Sequence, residues 1–437
     1  MILARWLKFL LPAFVLTWAA MAFWHAAKPM PPGTHVTSLT VRLPESDVEF
    51  ITDSLGHSDV LTRELATIDR AEQMIVVDQS PLAGDVVRHL AARKHARPSL
   101  KIVLLTDPAN EVFGGNAAAY LNSLEAAGII VVRVRLDRLR DSIPLYSGLW
   151  RLVFGWWSDP FDEVPGRASA SAWARMFNFK SDTRQLMVAD DGAGGWTSIV
   201  ASSDLRDAAA NNNAGLQVRG PLAHDIAASE LQVAGWSTDD DRLPAGPQRG
   251  AHGVGSIDAR FLTEGAVQSA LVDMAAAAGS NDEISICAHQ FTDRRLLDAV
   301  LGAASRGARL QVLLDSAAPS NRAAAGELIR RGGAHADVHW DPVDRGAVLT
   351  KFLIIRHGND VWMDLGSADF SRRGLGDLNL AASIELRMPA RTAAARGANE
   401  YFARAWSKAK PYLEYADESD AAYWRYRFGE ATGLSLF

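Results

Sequence analysis

Thr183-Arg184-Gln185-Leu186-Met187-Val188-Ala189-Asp190, followed by Ala201-Ser202-Ser203-Asp204, has a counterpart later in the chain. The counterpart is Leu349-Thr350-Lys351-Phe352-Leu353-Ile354-Ile355-Arg356, followed by Gly366-Ser367-Ala368-Asp369-Phe370. Each copy has a polar-x-polar start, which Leu349 breaks in the second. An apolar run of strand length follows, then a turn, then a Ser-x-Asp signal at the end of a second apolar run. Two copies of one pattern imply a duplicated architecture in which each copy supplies half of a common site.

The flanking sequence repeats in the same order. In the first half, helical spacing over Leu61–Arg70 precedes the strand pattern Met74–Asp78. A helix around Val86–Lys94 precedes Leu100–Asp107, and a helix over Tyr120–Ala127 precedes Ile129–Arg133. In the second half the corresponding pairs are Val267–Ala278 with Glu283–Cys287, Arg295–Ser305 with Ala308–Asp315, and Ala323–Arg331 with Ala336–Trp340. Short apolar strands alternating with helices predict an α/β fold whose sheets are covered by helices. The predicted organisation is a membrane or signal segment over 1–27, a linker over 28–47, a first half over 48–236, a linker over 237–255, and a second half with a C-terminal tail over 256–437.

The 437 residues are nearly half apolar, enough for a large core, and the net charge of −6 argues against a nucleic-acid partner. The single cysteine, Cys287, excludes an intrachain disulfide and reads as a buried thiol. Histidines do not cluster at metal-ligand spacing, so neither metal nor cofactor is expected. Arg5 and Lys8 precede an apolar run from Phe9 to Ala27 that reaches bilayer-spanning length. The flanking charges orient it as a single-pass inner-membrane anchor with the body periplasmic or otherwise extracytoplasmic. Ala20-Met21-Ala22 also fits a signal cleavage site, which would instead make the body secreted.

Three segments fall outside the repeat. Ile143–Trp157 contains Tyr146, Trp150, Phe154, Trp156 and Trp157, and reads either as a helix packed between the halves or as a membrane-interface element. Val134–Asp141, with Arg135, Arg138 and Arg140, reads as a solvated linker or a contact to phosphate headgroups. Tyr423–Phe428, mixing aromatic and basic residues, reads as a packed tail or a lipid contact.

The paired motifs resemble the His-x-Lys-x4-Asp…Gly-Ser-x-Asn signatures of the phospholipase D superfamily. The resemblance covers about nine-tenths of the chain and is nearest to bacterial membrane-anchored, cardiolipin-synthase-like members. It is carried also by Asp107–Gly115, Leu136–Asp141, Asn178–Lys180, Gly366–Asn379 and Arg427–Gly433. It implies two pseudo-equivalent halves around a shared site, phosphodiester hydrolysis or phosphatidyl transfer on phospholipids, and no metal. One histidine would attack phosphorus, the other would protonate the leaving oxygen, and lysines and asparagines would hold the phosphate.

Transferred to this chain, the resemblance puts Thr183 and Leu349 where the histidines should stand. Gln185 and Lys351 take the lysine positions, and Asp190 and Arg356 the aspartate positions. Asp204 and Asp369 replace the asparagines, while Ser202 and Ser367 remain. Asn379 and Glu385 fit the downstream signature. Leucine can neither attack nor move a proton, and Thr183 has no base beside it in sequence. Asp190 is left with no imidazole to orient. The expectation is a non-catalytic member that binds phosphate or lipid, or scaffolds at the membrane, with Lys351, Ser202, Ser367, Asp204 and Asp369 as phosphate-site candidates.

An active phosphodiesterase using Thr183 or His289 as substitute nucleophile is the alternative. His289 closes the apolar run Ile284–Ala288 near the edge where α/β sites open. A cation held by Asp190, Asp204 and Asp369 is weighed against a salt bridge from Asp369 to Lys351 or Arg356, which is favoured. The expected partner is a phospholipid surface, or an active paralogue of the same family.

Overall fold

The computed structural model describes residues 2–54, 57–109, 117–153, 178, 180–203, 213–247, 253–341, 350–417 and 419–432. Leu349, Asp204, Phe154, Trp156 and Trp157 lie outside the described residues.

Two sheets carry the duplication. The first has seven strands in the order β2-β8-β7-β6-β3-β4-β5: β2 (Val48–Thr52), β3 (Met74–Gln79), β4 (Lys101–Thr106), β5 (Ile130–Arg133), β6 (Gln185–Asp190), β7 (Trp196–Ala201) and β8 (Ala214–Arg219). The second has the order β1-β9-β15-β14-β13-β10-β11-β12-β16. Its strands are β1 (Val41–Leu43), β9 (Ile257–Thr263), β10 (Glu283–Ala288), β11 (Arg309–Asp315), β12 (Ala336–Asp341), β13 (Phe352–His357), β14 (Asp360–Gly366), β15 (Ala382–Pro389) and β16 (Lys410–Pro411). With the edge strands β1 and β16 set aside, the two orders coincide.

The register coincides as well. Ile75 pairs with Ala189 in the first sheet, and Ile284 with Ile355 in the second. Met74 pairs with Lys101, and Glu283 with Arg309. Asp190 pairs with Trp196, and Arg356 with Val361. Gln185 therefore occupies the place of Lys351, Ser202 that of Ser367, and Asp107 that of Asp315.

The motif strands are apolar on both sides because both faces are covered. Along β6, Leu186 and Val188 face the other sheet, and Met187 and Ala189 face outward. Along β13, Phe352 and Ile354 face inward, and Leu353 and Ile355 outward. This two-residue alternation builds one core between the sheets and one outside each. The shared core also takes one face each of α6 (Pro221–Ser237) and α11 (Ala393–Trp406), the helices that follow β8 and β15.

The outer helices are cut to fit. In α2 (Asp59–Arg70), Val60, Glu64, Thr67 and Ile68 form the buried stripe, and the Ser58 hydroxyl accepts from the Leu61 amide at the start. The remaining outer helices of the first half are α3 (Gly84–Ala96) and α4 (Ala117–Ala126). In the second half, α7 (Gly265–Ala277), α8 (Arg294–Ser305) and α9 (Ser320–Gly332) take the same places. At α8 the cap is Asp293, which accepts from Leu296.

Two stretches read as linkers are built into the body. Within 28–47, β1 pairs antiparallel with β9, placing the chain's first strand on the second sheet. The Val134–Asp141 stretch is only partly solvated: Val134, Leu139 and Asp141 are buried, Arg135 pairs with Asp239 and Arg140 with Asp377, and Asp137 and Arg138 are exposed. A short helix, α10 (Arg372–Leu375), follows the second motif, and α12 (Asp420–Thr432) forms the tail. The tail packs through Tyr426, whose hydroxyl donates to the Thr292 carbonyl, and leaves Trp424 and Phe428 exposed.

Helix α1 (Ile2–Ala27) contains Phe9–Ala27, a segment long and apolar enough to cross a membrane. It packs along α5 (Pro144–Val153) rather than into the globular core. Pro144–Val153 therefore has the N-terminal helix as a packing partner.

Candidate functional site

Both motif starts lie at the carboxyl edge of the parallel strands, since Gln185 pairs with Gln79 at the end of β3. This is the edge where α/β sheets open their sites. The two halves meet there through backbone. Asp182 bridges Leu380, and the Leu380 amide donates to the Ser181 carbonyl at 3.0 Å. Asn379 accepts from the Ser181 amide at 3.1 Å.

In the first half-site Thr183, Gln185 and Ser202 are each tied to the surrounding chain. The Thr183 amide and hydroxyl both donate to the Leu380 carbonyl, at 2.9 and 2.7 Å. The Gln185 amide donates to the Ser80 carbonyl at 2.8 Å. Ser202 is buried and its hydroxyl meets Asn213 at 3.0 Å. Between Thr183 and Gln185, the fully buried Arg184 reaches Glu230 and Glu264 at 2.7 Å each and the Gly33 carbonyl at 2.9 Å. Gly33 has φ +78, and a Cβ there would fall 2.4 Å from the Ser229 carbonyl, so glycine is required. Arg184 thus fastens the first half to the second half and to the N-terminal segment.

The surrounding carboxyls outnumber this cation. Burial pushes Asp182 up to about 8, with Asp107 and Glu230 adding to the shift and Arg184 opposing it. Burial likewise raises Asp78 well above the carboxylate range. These protons let several acids share one guanidinium in a dry interface.

Asp190 is not an orienter of a ring at position 183. Its carboxylate accepts from the amides of Glu72, Gln73, Met74 and Gly192, at the far end of β6. Six strand residues separate the two ends by about 17 Å. It satisfies backbone donors where β3 begins. In the second half this place holds an ion pair, Arg356 with Glu283. Arg356 is therefore remote from Asp369, and Asp190 from any cation at the opposite edge.

The second half-site is differently disposed. Lys351 is buried with its ammonium 3.2 Å from the Ser367 carbonyl and 3.6 Å from Asp369. Ser367 is tied to Ala382, whose carbonyl accepts from the Ser367 amide at 2.8 Å and whose amide donates to its hydroxyl at 3.1 Å. His289 stands one residue beyond β10, with Nδ1 2.7 Å from Asp315. Burial alone would lower its pKa. The Asp315 hydrogen bond and the charge of Asp369 outweigh that and raise it, with Lys351 opposing. His289, Lys351 and Asp369 thus form one electrostatic cluster.

Asp315 and Arg184 were missed as site residues by sequence reasoning. Asp315 had a signal, because both halves end their second strand on an aspartate. Asp107 and Asp315 each accept a local amide, from Ala109 and Ala317. They then diverge: Asp107 accepts from the Asp182 amide and Asp315 holds His289. No group of acidic, histidine or cysteine side chains placed to hold a metal occurs among the described residues.

Residues 272–406 match the family described as cardiolipin synthase, PLD-like domain. The crystal structure of phosphatidylserine synthase from Haemophilus influenzae Rd KW20 is similar at a TM-score of 0.59 and 10% identity, covering 91% of this chain and 95% of that one. Polyphosphate kinase from Porphyromonas gingivalis is similar at 0.50 and 12% identity, over 91% of this chain and 54% of that one. Nuc from Salmonella typhimurium, a phospholipase D family member, has a TM-score of 0.29 at 16% identity, over 35% of this chain and 97% of its own. No curated protein matches the sequence.

Proposed function

We propose, from the premise that this chain is a member of the phospholipase D superfamily, that it is a membrane-anchored protein that binds phosphate-bearing lipid headgroups without cleaving them. The observation that carries this is the double donation from Thr183 to the Leu380 carbonyl. A nucleophile at that position needs a base to take its proton. A peptide carbonyl is no such base, and Gln185 offers an uncharged amide already bound to Ser80. The first half-site works as a joint between halves.

Binding falls to the second half-site. Lys351 supplies a positive charge, and protonated His289 supplies another through Nε2–H while Asp315 holds Nδ1–H. Ser202 and Ser367 are buried and engaged, so they shape the turns rather than donate outward. In this reading helix α1 is the anchor, and Arg5 and Lys8 before it put the body on the side away from the cytoplasm. Headgroup release from phospholipid vesicles by the full chain is the deciding measurement. None is expected, and release abolished by Lys351→Ala overturns the proposal.

The 2.7 Å contact of His289 with Asp315 favours one rival reading. A carboxylate-oriented imidazole beside a lysine could attack phosphorus through Nε2, forming a phosphorus–nitrogen bond and expelling an alkoxide. Headgroup release that His289→Ala abolishes would establish it.

A further inference from the structure

Helix α5 is amphipathic in the opposite sense to the outer helices of the body. Its small and polar residues Ser147 and Gly148 are buried, while Leu145 and Leu149 are 62% and 40% exposed. A soluble surface helix turns its apolar stripe to the core. A helix packed on a neighbour in lipid buries small residues and turns leucines outward. At Gly148 a Cβ would lie 3.1–3.2 Å from backbone and Cβ atoms of Ala22, the close approach that glycine permits between such helices.

The level of contact along α1 is also defined. The Trp18 indole donates to the Leu145 carbonyl at 2.7 Å, and the Asp141 amide donates to the His25 carbonyl at 3.0 Å. Trp18 is the central residue of the apolar segment Phe9–Ala27. At 1.5 Å per residue it lies about 13 Å from the end of the helix, close to one leaflet's depth. The chain leaves the level of His25 at Asp141, descends to the level of Trp18 at Leu145, and returns along α5. At Arg151 it meets Asp141 again in an ion pair.

Two amides on this path have partners and a third position carries no N–H, which lowers the cost of an apolar surrounding. The Ile143 amide donates to Asn178, the Ser147 amide to Ile143, and Pro144 has no amide hydrogen to satisfy. At the base, Asp141 is shared by Ser147, Arg151 and Lys180, and Arg372 donates to the Ser142 carbonyl at 3.1 Å. Arg372 comes three residues after Asp369, so the base adjoins the second half-site.

We propose that Asp141–Val153 is a re-entrant hairpin inserted into the bilayer beside α1, with Leu145 and Leu149 against lipid acyl chains. The proposal rests on reading α1 as a membrane anchor. It makes the hairpin a second point of attachment and holds the carboxyl edge of the strands against the headgroup layer.

The test uses the full chain with Leu145→Cys, Leu149→Cys, Phe14→Cys on α1 and Leu413→Cys on the exposed body. Each carries an environment-sensitive fluorophore and is reconstituted in phosphatidylglycerol–phosphatidylcholine vesicles. Cys287 is buried and stays unlabelled. Positions 145 and 149 should match position 14. They should be quenched by acyl-chain nitroxide lipid and several-fold less quenched by aqueous iodide than position 413. If 145 and 149 follow 413 while 14 stays protected, the hairpin is overturned and the anchor stands. If all four are open to iodide, both are overturned. Lys351→Ala should leave the protection unchanged, so failure of headgroup binding reads out separately.

Discussion

The two half-sites share a backbone and differ in what their side chains do. Gln185 and Lys351 start equivalent strands, Ser80 and His289 follow equivalent strand ends, and Asp107 and Asp315 close equivalent neighbours. In the first half these residues hold chain to chain. In the second, a cation and a carboxylate-bound imidazole remain grouped. Strand interiors are held by packing on both faces, so their pattern survives. The polar edge has no such constraint, and the first edge has become a structural joint.

The largest test of this contrast is Arg184. Replacing it with Met strands Glu230 and Glu264 in a dry interface and should cost about 3–5 kcal/mol in denaturant unfolding. Arg356→Met, at an exposed ion pair of the second half, should cost about 1 kcal/mol or less. Similar costs at both positions would refute a joint particular to the first half.

Headgroup binding comes next. Lys351→Ala should weaken binding of a short-chain phospholipid roughly 10- to 100-fold by calorimetry, the value of a charge-assisted contact. Gln185→Ala at the equivalent position should change it by less than about twofold. Equal losses would show that both halves still bind.

Acidity separates the halves again. Folded Asp182 keeps its proton up to about 8, whereas an unfolded aspartate loses it near 3.8. From about pH 4 to 8 only the unfolded chain loses that proton, so thermal stability should fall over this window. Asp182→Asn should flatten the decline, and an unchanged slope would remove the carboxyl cluster from the account. Glu64 and Asp364, also raised to about 8, should keep part of the slope.

The smallest effect belongs to His289. Its pKa is raised, so its charge is full below the ordinary value of 6.5 and is lost as pH rises through the folded value. Headgroup affinity should decline over that higher range, and Asp315→Asn should move the decline to lower pH. A pH-independent affinity would exclude His289 from the site.

Much of this was legible in the sequence. The six strand and helix pairs of the repeat fall within a residue or a few of their expected bounds, because two-sided burial writes itself as unbroken apolar runs. The repeat of the motif was equally plain, and the strand register puts Gln185 in the place of Lys351 and Ser202 in that of Ser367 in the two sheets. Arg184 was not plain, because what buries it lies at Glu230 and Glu264, far along the chain, and no local pattern marks a paired charge. Asp190 misled for a related reason. Its place in the motif suggests the site, yet a strand carries its two ends to opposite edges of the sheet. The role of β1 was hidden because a three-residue strand in a Pro-rich approach looks like free chain.

That short strand also sets the order of assembly. Val41 must pair with Ala259, and synthesis supplies the partner roughly 200 residues later, many seconds after β1 itself is made. The first sheet can complete before then, since all its strands precede β9. The strap from Gly33 to Leu43, with Arg184 and Glu264 at one end and β9 at the other, closes only once the second half has been made. Nascent chains truncated before Ile257 should therefore carry a folded first sheet and an N-terminal segment still open to protease.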